Sequence, residues 1–212
     1  MANVFEFHFN PLEKTTVFDT FCFLPQTFFE KKQGYLYIVS EIKSKEQQSE
    51  LILNKSAEII KKYFYQKPVF VSHDPFQLGL NQANDFLSDF QGNLNFAAVA
   101  IGPKCNIKVS KTGDIKIILL RKQEAFDIGS NLSAQHVIEG NLQSGDRILM
   151  ATPEVFQSLQ AEKIIEELSL CYEPKFVKQI FKEKKKIVRE FSGACLLAFV
   201  KKRPIISFLS RF

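Results

Sequence analysis

The chain has no tryptophan and only four cysteines, and Cys22, Cys105, Cys171 and Cys195 stand far apart with no C-x-x-C pair among them. Neither a zinc knuckle nor a redox dithiol is suggested, so buried reduced thiols are expected. No uninterrupted apolar run reaches the roughly 18 residues that a membrane span requires. The opening residues, Met1 to His8, alternate polar and apolar side chains and lack the basic start and apolar stretch of a secretory signal. A cytoplasmic protein, or a cytoplasmic domain of one, is expected. Gly102-Pro103-Lys104 and the stretch from Gly140 to Gly145 lack the glycine spacing that cradles phosphates, so nucleotide binding has no support. His8, His73 and His136 lie in separate segments without an H-E-x-x-H pattern or a nucleophile motif, and read as structural or surface residues.

What is present is a chain of 212 residues, 45% hydrophobic and 24% charged. That length fits a single domain over residues 1–212, able to bury a core without disulfides or structural metals. The 22 phenylalanines and the lack of tryptophan point to an AT-rich coding sequence or a Phe-packed core. A net charge of +5 favours acidic partners but falls short of a nucleic-acid signature, so no nucleic acid is expected.

Val4 to Phe9 and Val17 to Leu24 read as strands that pair with each other, and Gly34 to Val39 as a central strand. Helical spacing follows from about Glu46 to Tyr65 and from Phe76 to Phe90, with a proline-broken connection from Pro68 to Pro75. Short apolar runs at Leu94 to Ile101, Ile107 to Val109, Ile115 to Leu120, Ala125 to Ile128 and Arg147 to Ala151 predict an antiparallel meander. Two helices, Pro153 to Ser169 and Pro174 to Glu190, precede a buried strand from Gly193 to Val200, with Thr152 as N-cap of the first. This order predicts an α+β layered sandwich.

Local motifs give the order a family likeness. Val17-Phe18-Asp19-Thr20-Phe21 closes an early strand. Leu36 to Ser40 runs into Glu41-Ile42-Lys43-Ser44-Lys45. Lys111-Thr112-Gly113-Asp114 opens an apolar run that ends at Arg121, and Gly145-Asp146-Arg147-Ile148-Leu149-Met150-Ala151-Thr152 leads into Pro153-Glu154. Together these resemble the metal-dependent protein phosphatases of type 2C, the PPM family. The resemblance spans nearly the whole chain and implies a four-layer αββα sandwich, two antiparallel sheets flanked by helix pairs.

The resemblance also shows what has been replaced. Asp19 matches the second acidic position of the early strand, and Phe18 stands at the first. Glu41 takes the place of the aspartate in Asp-Gly-x-Gly-Gly, while Ile42, Ser44 and Lys45 replace the glycines and bring in side chains and a positive charge. Pro153 stands where a metal-binding aspartate is expected, and Ser192 lies where the last carboxylate would be. A centre of two hard cations about 3.5 to 4 Å apart needs several carboxylates. Asp19 and Glu41 remain only as remnant metal candidates, and no catalytic or cofactor-binding residue is assigned.

These replacements imply a catalytically degenerate phosphatase-like domain that acts in protein binding or regulation, with no cofactor. The alternative is an active divergent phosphatase that holds Mn or Mg with Asp19, Glu41, Glu154 or Asp114. A further alternative rests on the basic amphipathic stretch from Lys175 to Arg189, whose Lys178, Lys182, Lys185, Lys186 and Arg189 form a docking face joined by Lys201-Lys202-Arg203. The expected partner is a protein, acidic or phosphorylated, with a membrane surface less favoured. The apolar end from Ile205 to Phe212 is read as packing on the body, contacting a partner or marking a longer polypeptide.

Overall fold

A computed structural model describes residues 3–9, 16–44, 48–66, 74–88, 90, 92–130, 132 and 136–201. The first sheet runs in the order β1 (Asn3–Phe9), β10 (Gly193–Phe199), β9 (Arg147–Ala151), β6 (Lys116–Arg121) and β7 (Glu124–Asp127). The second runs β2 (Thr16–Phe23), β3 (Tyr35–Lys43), β4 (Asn93–Ile101), β5 (Asn106–Thr112) and β8 (Ile138–Asn141). All pairings are antiparallel.

Strand alternation builds the layers. On β3, Tyr37 and Val39 enter the core between the sheets, whereas Leu36 and Ile38 pack against α2 (Ser49–Tyr65) and α3 (Pro75–Leu87). The first sheet turns its other face to α4 (Pro153–Ala161), α5 (Ile164–Leu170) and α6 (Pro174–Glu183). Phe7, Phe9, Phe181 and Phe191 meet in that layer, with the Phe7 and Phe181 rings 4.0 Å apart, which bears out the Phe-packed interior. Each fully buried Leu, Ile or Phe in these layers contributes roughly 1.5 to 3 kcal/mol from removal of apolar surface. The result is the four-layer αββα sandwich expected.

Several local expectations are corrected. β1 does not pair with β2. It pairs with β10, and β2 pairs with β3, so consecutive strands open opposite sheets. The wholly buried apolar strand β10 demands a neighbour on both sides, and β1 and β9 supply them. The predicted meander is split, because the chain leaves the second sheet at Gly113-Asp114 and enters the first at β6. β8 falls partly within the stretch read as a glycine connection, and its residues are all exposed, so no alternating pattern marks it.

The two long C-terminal helices are each broken. Lys163 adopts a left-handed backbone (φ 57°) that ends α4 and starts α5, and Lys184 (φ −93°, ψ 17°) separates α6 from α7 (Lys185–Val188). A short helix, α1 (Glu30–Gln33), was not foreseen. The start of α2 expected at Glu46, the connection after Pro68, His73 and the end from Lys202 to Phe212 lie outside the described residues. Among the described residues no helix is long and apolar enough to cross a membrane.

Candidate functional site

Where β3 ends and α4 begins, the part-exposed Lys43 and Glu154 stand beside the buried Glu41 and form the cleft between the sheet ends. Glu41 continues the β3 alternation onto the inter-sheet face, pairs in register with Asn95 of β4 and Phe18 of β2, and is completely buried. Its Oε2 accepts a hydrogen bond from Asn95 Nδ2 at 2.8 Å, while its Oε1 has no hydrogen-bond partner. Burial raises the pKa of this carboxyl above the usual carboxylate range, and the Asn95 bond and the Lys43 charge oppose that shift. Glu154 and Asp114 are close enough to push it further up.

Lys43, two residues further along the same face of β3, places its Nζ 2.8 Å from Glu154 Oε1. Pro153 occupies the first position of α4, where its missing N–H is of no consequence, and Glu154 sits in the first turn, where a carboxylate suits the positive end of the helix. The ion pair thus ties the end of the second sheet to the helical layer of the first. Thr152 caps α4 by position, but its side chain is used differently, since Oγ1 accepts from Ala194 N at 3.1 Å. Gly193 begins β10 at φ 124°, and a Cβ there would collide with Thr152 Oγ1. Asp114 donates its backbone N–H to Asn95 Oδ1 at 2.9 Å, so the turn that crosses between sheets is anchored beside Glu41.

The two remnant candidates do not converge. Asp19 pairs in register with Ser40, so it lies on the face of the second sheet opposite to Glu41. There its Oδ1 accepts from the Thr20 N–H at 2.7 Å and lies 3.1 Å from His8 Nε2. The hydrogen bond to Asp19 raises the His8 pKa. Thr20 Oγ1 donates to Glu6 Oε2 at 2.8 Å, completing a polar seam between edge strands β1 and β2. Ser192 is buried at the start of β10. Among the described residues no group of three or more His, Cys, Asp or Glu side chains is arranged to hold a metal ion.

Sequence reasoning assigned the intruding positive charge to Lys45, which lies outside the described residues. The cation in the cleft is Lys43, and strand alternation from Glu41 was the signal that would have found it. Asn95, Thr20 and Glu6 were likewise missed, because each acquires its role from cross-sheet or cross-strand placement, whereas His8 is the part-exposed structural residue expected. On the outer helices, Lys178, Lys182, Lys185, Lys186 and Arg189 are exposed. Lys184 is engaged with Glu167 Oε1 at 2.8 Å and with the Glu162 carbonyl at 2.7 Å.

No protein-family model and no curated protein matches the chain. Solved structures do. The catalytic domain of the serine/threonine protein phosphatase PstP in complex with two manganese ions aligns with TM-score 0.66 and 11% identity, over 94% of this chain and 98% of that one. The phosphatase domain of SpoIIE from Bacillus subtilis aligns with TM-score 0.59 and 11% identity, over 100% and 97%. A serine/threonine phosphatase from S. agalactiae aligns with TM-score 0.64 and 10% identity, over 95% and 100%. Layer order, strand pairing and these likenesses agree that the chain has the fold of the type 2C, PPM-type, phosphatase domains.

Proposed function

We propose that this chain is a catalytically degenerate type 2C phosphatase-like domain that works in the cytoplasm by binding a protein partner or regulating one. The observation that carries the reading is the Lys43–Glu154 ion pair at the mouth of the cleft. A two-cation centre draws carboxylates together around hard ions. Here an ammonium group holds one of the nearby carboxylates, Pro153 offers no side-chain oxygen, and Asp19 faces away from Glu41. The side chains present do not fit a pair of divalent cations.

A second reading, an active divergent phosphatase, draws on Glu41, whose unpartnered Oε1 lies near Glu154 and Asp114. Turnover separates the two. The purified chain is assayed with p-nitrophenyl phosphate and a phosphothreonine peptide in manganese or magnesium, with and without chelator. The degenerate domain gives no chelator-sensitive hydrolysis above buffer. Hydrolysis that chelation abolishes and Glu41→Gln removes would replace it with the active enzyme.

A further inference from the structure

The helical layer over the first sheet carries a concavity remote from the cleft. Leu170, Cys171 and Tyr172 at the end of α5 and Phe176 and Ile180 on one flank of α6 line an open groove of about 440 Å³. Leu170 is 56% exposed, Tyr172 58% and Phe176 43%, so three large apolar side chains face solvent in one place. Such a cluster on a folded surface marks an interaction site.

The charge near the groove is mostly basic, with Glu183, which accepts from Gln179 Nε2, the one exposed acid on α6 among the described residues. Val177 and Phe181 turn inward, so Phe176 and Ile180 lie along one side of α6 and Lys178 and Lys182 along the other. Lys185, Lys186 and Arg189 extend the basic row past the break at Lys184. Among the described residues none of these five makes a salt bridge. The acids on the rim are neutralised, Glu173 by Lys175 at 2.7 Å and Glu167 by Lys184 at 2.8 Å. Beneath the wall lies the fully buried Arg147, which donates to the carbonyls of Leu168, Ser169 and Cys171 and sits 5.3 Å from the Tyr172 ring. Its permanent charge adds to the positive potential under the groove.

We infer that the α5–α6 groove and the basic flank of α6 together form the docking site for an acidic segment of a protein partner, one that seats large apolar side chains in the groove and crosses α6 with its carboxylates. The concave shape suits inserted side chains better than a flat bilayer surface. The inference deepens the binding role proposed above by naming the surface and the chemistry of the partner.

The test is selection of displayed random peptides on the full chain in the presence of EDTA, with the enriched peptides then measured by fluorescence polarisation. Enriched peptides are expected to combine Asp or Glu with large apolar residues and to weaken as salt rises. Tyr172→Ala and Phe176→Ala should each weaken them by about tenfold or more, as should Lys182→Glu with Lys185→Glu, while circular-dichroism melting stays cooperative. No enrichment, or peptides indifferent to the groove variants, overturns the inference. So does groove-dependent binding to phosphatidylserine–phosphatidylcholine vesicles without peptide binding. Because EDTA is present, a failure here leaves the degenerate-cleft reading untouched, and metal-dependent turnover overturns that reading without touching the groove.

Discussion

Glu41 and Arg147 are both fully withdrawn from solvent, one at the mouth of the cleft and one beneath α5, yet they are accommodated differently. Arg147 gives hydrogen bonds to three carbonyls at the end of α5, leaves only Nε unpaired, and has the Tyr172 ring close by. The Leu168 carbonyl also accepts from the Cys171 N–H, while those of Ser169 and Cys171 are ones a helix C-terminus leaves open, so the guanidinium acts as a built-in cap with favourable charge. Glu41 has one donor, Asn95, and an oxygen with none. A buried charge supplied with backbone partners belongs to the scaffold. A buried charge left half supplied lowers stability.

The comparison breaks first at Arg147. Arg147→Ala is expected to cost about 3 to 5 kcal/mol in urea unfolding, because it opens a cavity and takes the guanidinium donors from the Ser169 and Cys171 carbonyls. A loss below about 1 kcal/mol would remove Arg147 from the scaffold.

Glu41 should respond in the opposite direction. Glu41→Gln keeps the shape and the Asn95 contact while removing the buried charge, and is expected to stabilise the chain by about 1 kcal/mol at neutral pH. The sign follows from the raised pKa. The folded state holds the Glu41 proton more tightly than the unfolded chain, so wild-type stability at this group is present below the ordinary value of 4.5 and lost as pH rises through the folded value. The gap between wild type and Glu41→Gln should therefore close as pH falls toward 4.5, followed by paired urea titrations.

Smaller effects sharpen the contrast. The Lys43–Glu154 pair is 37% and 43% exposed at its two side chains, so solvent screens it, and Lys43→Met should change stability by no more than about 1 kcal/mol. Its larger consequence is expected on Glu41, whose proton affinity should rise once the nearby ammonium is gone, read by carboxyl NMR titration.

Smallest of all is the seam at His8. Its pKa is raised by Asp19, so its contribution is present below 6.5 and fades as pH rises through the folded value. The pair is about half exposed, which limits the effect to a few tenths of a kcal/mol. Asp19→Asn should flatten that segment of the stability profile.

Much of the architecture was legible because strand alternation and helical spacing are local signals. β4, β9 and β10 were each placed nearly to the residue, β3 was found but runs on to Lys43 beyond its expected end at Val39, and the layered α+β class followed from their order. Pairing was less legible. Whether β1 joins β2 or β10 depends on a partner more than 180 residues away, and no local pattern encodes that choice. The helix breaks at Lys163 and Lys184 were hidden because neither residue is a glycine or proline, the usual markers of such breaks. At the cleft, the replacements at Ile42, Pro153 and Ser192 were visible in the sequence. The cation that faces Glu154 was not, because Lys43 and Glu154 are 111 residues apart and meet only when the sheets stack.

The most direct measurement is manganese titration of the intact chain by calorimetry up to millimolar concentration, with Asp19→Ala and Glu41→Ala beside the wild type. A cleft held by Lys43 and Glu154 predicts no heat beyond dilution in any of the three. Stoichiometric binding by the wild type that disappears in Glu41→Ala would contradict the account and return the cleft to metal-dependent chemistry.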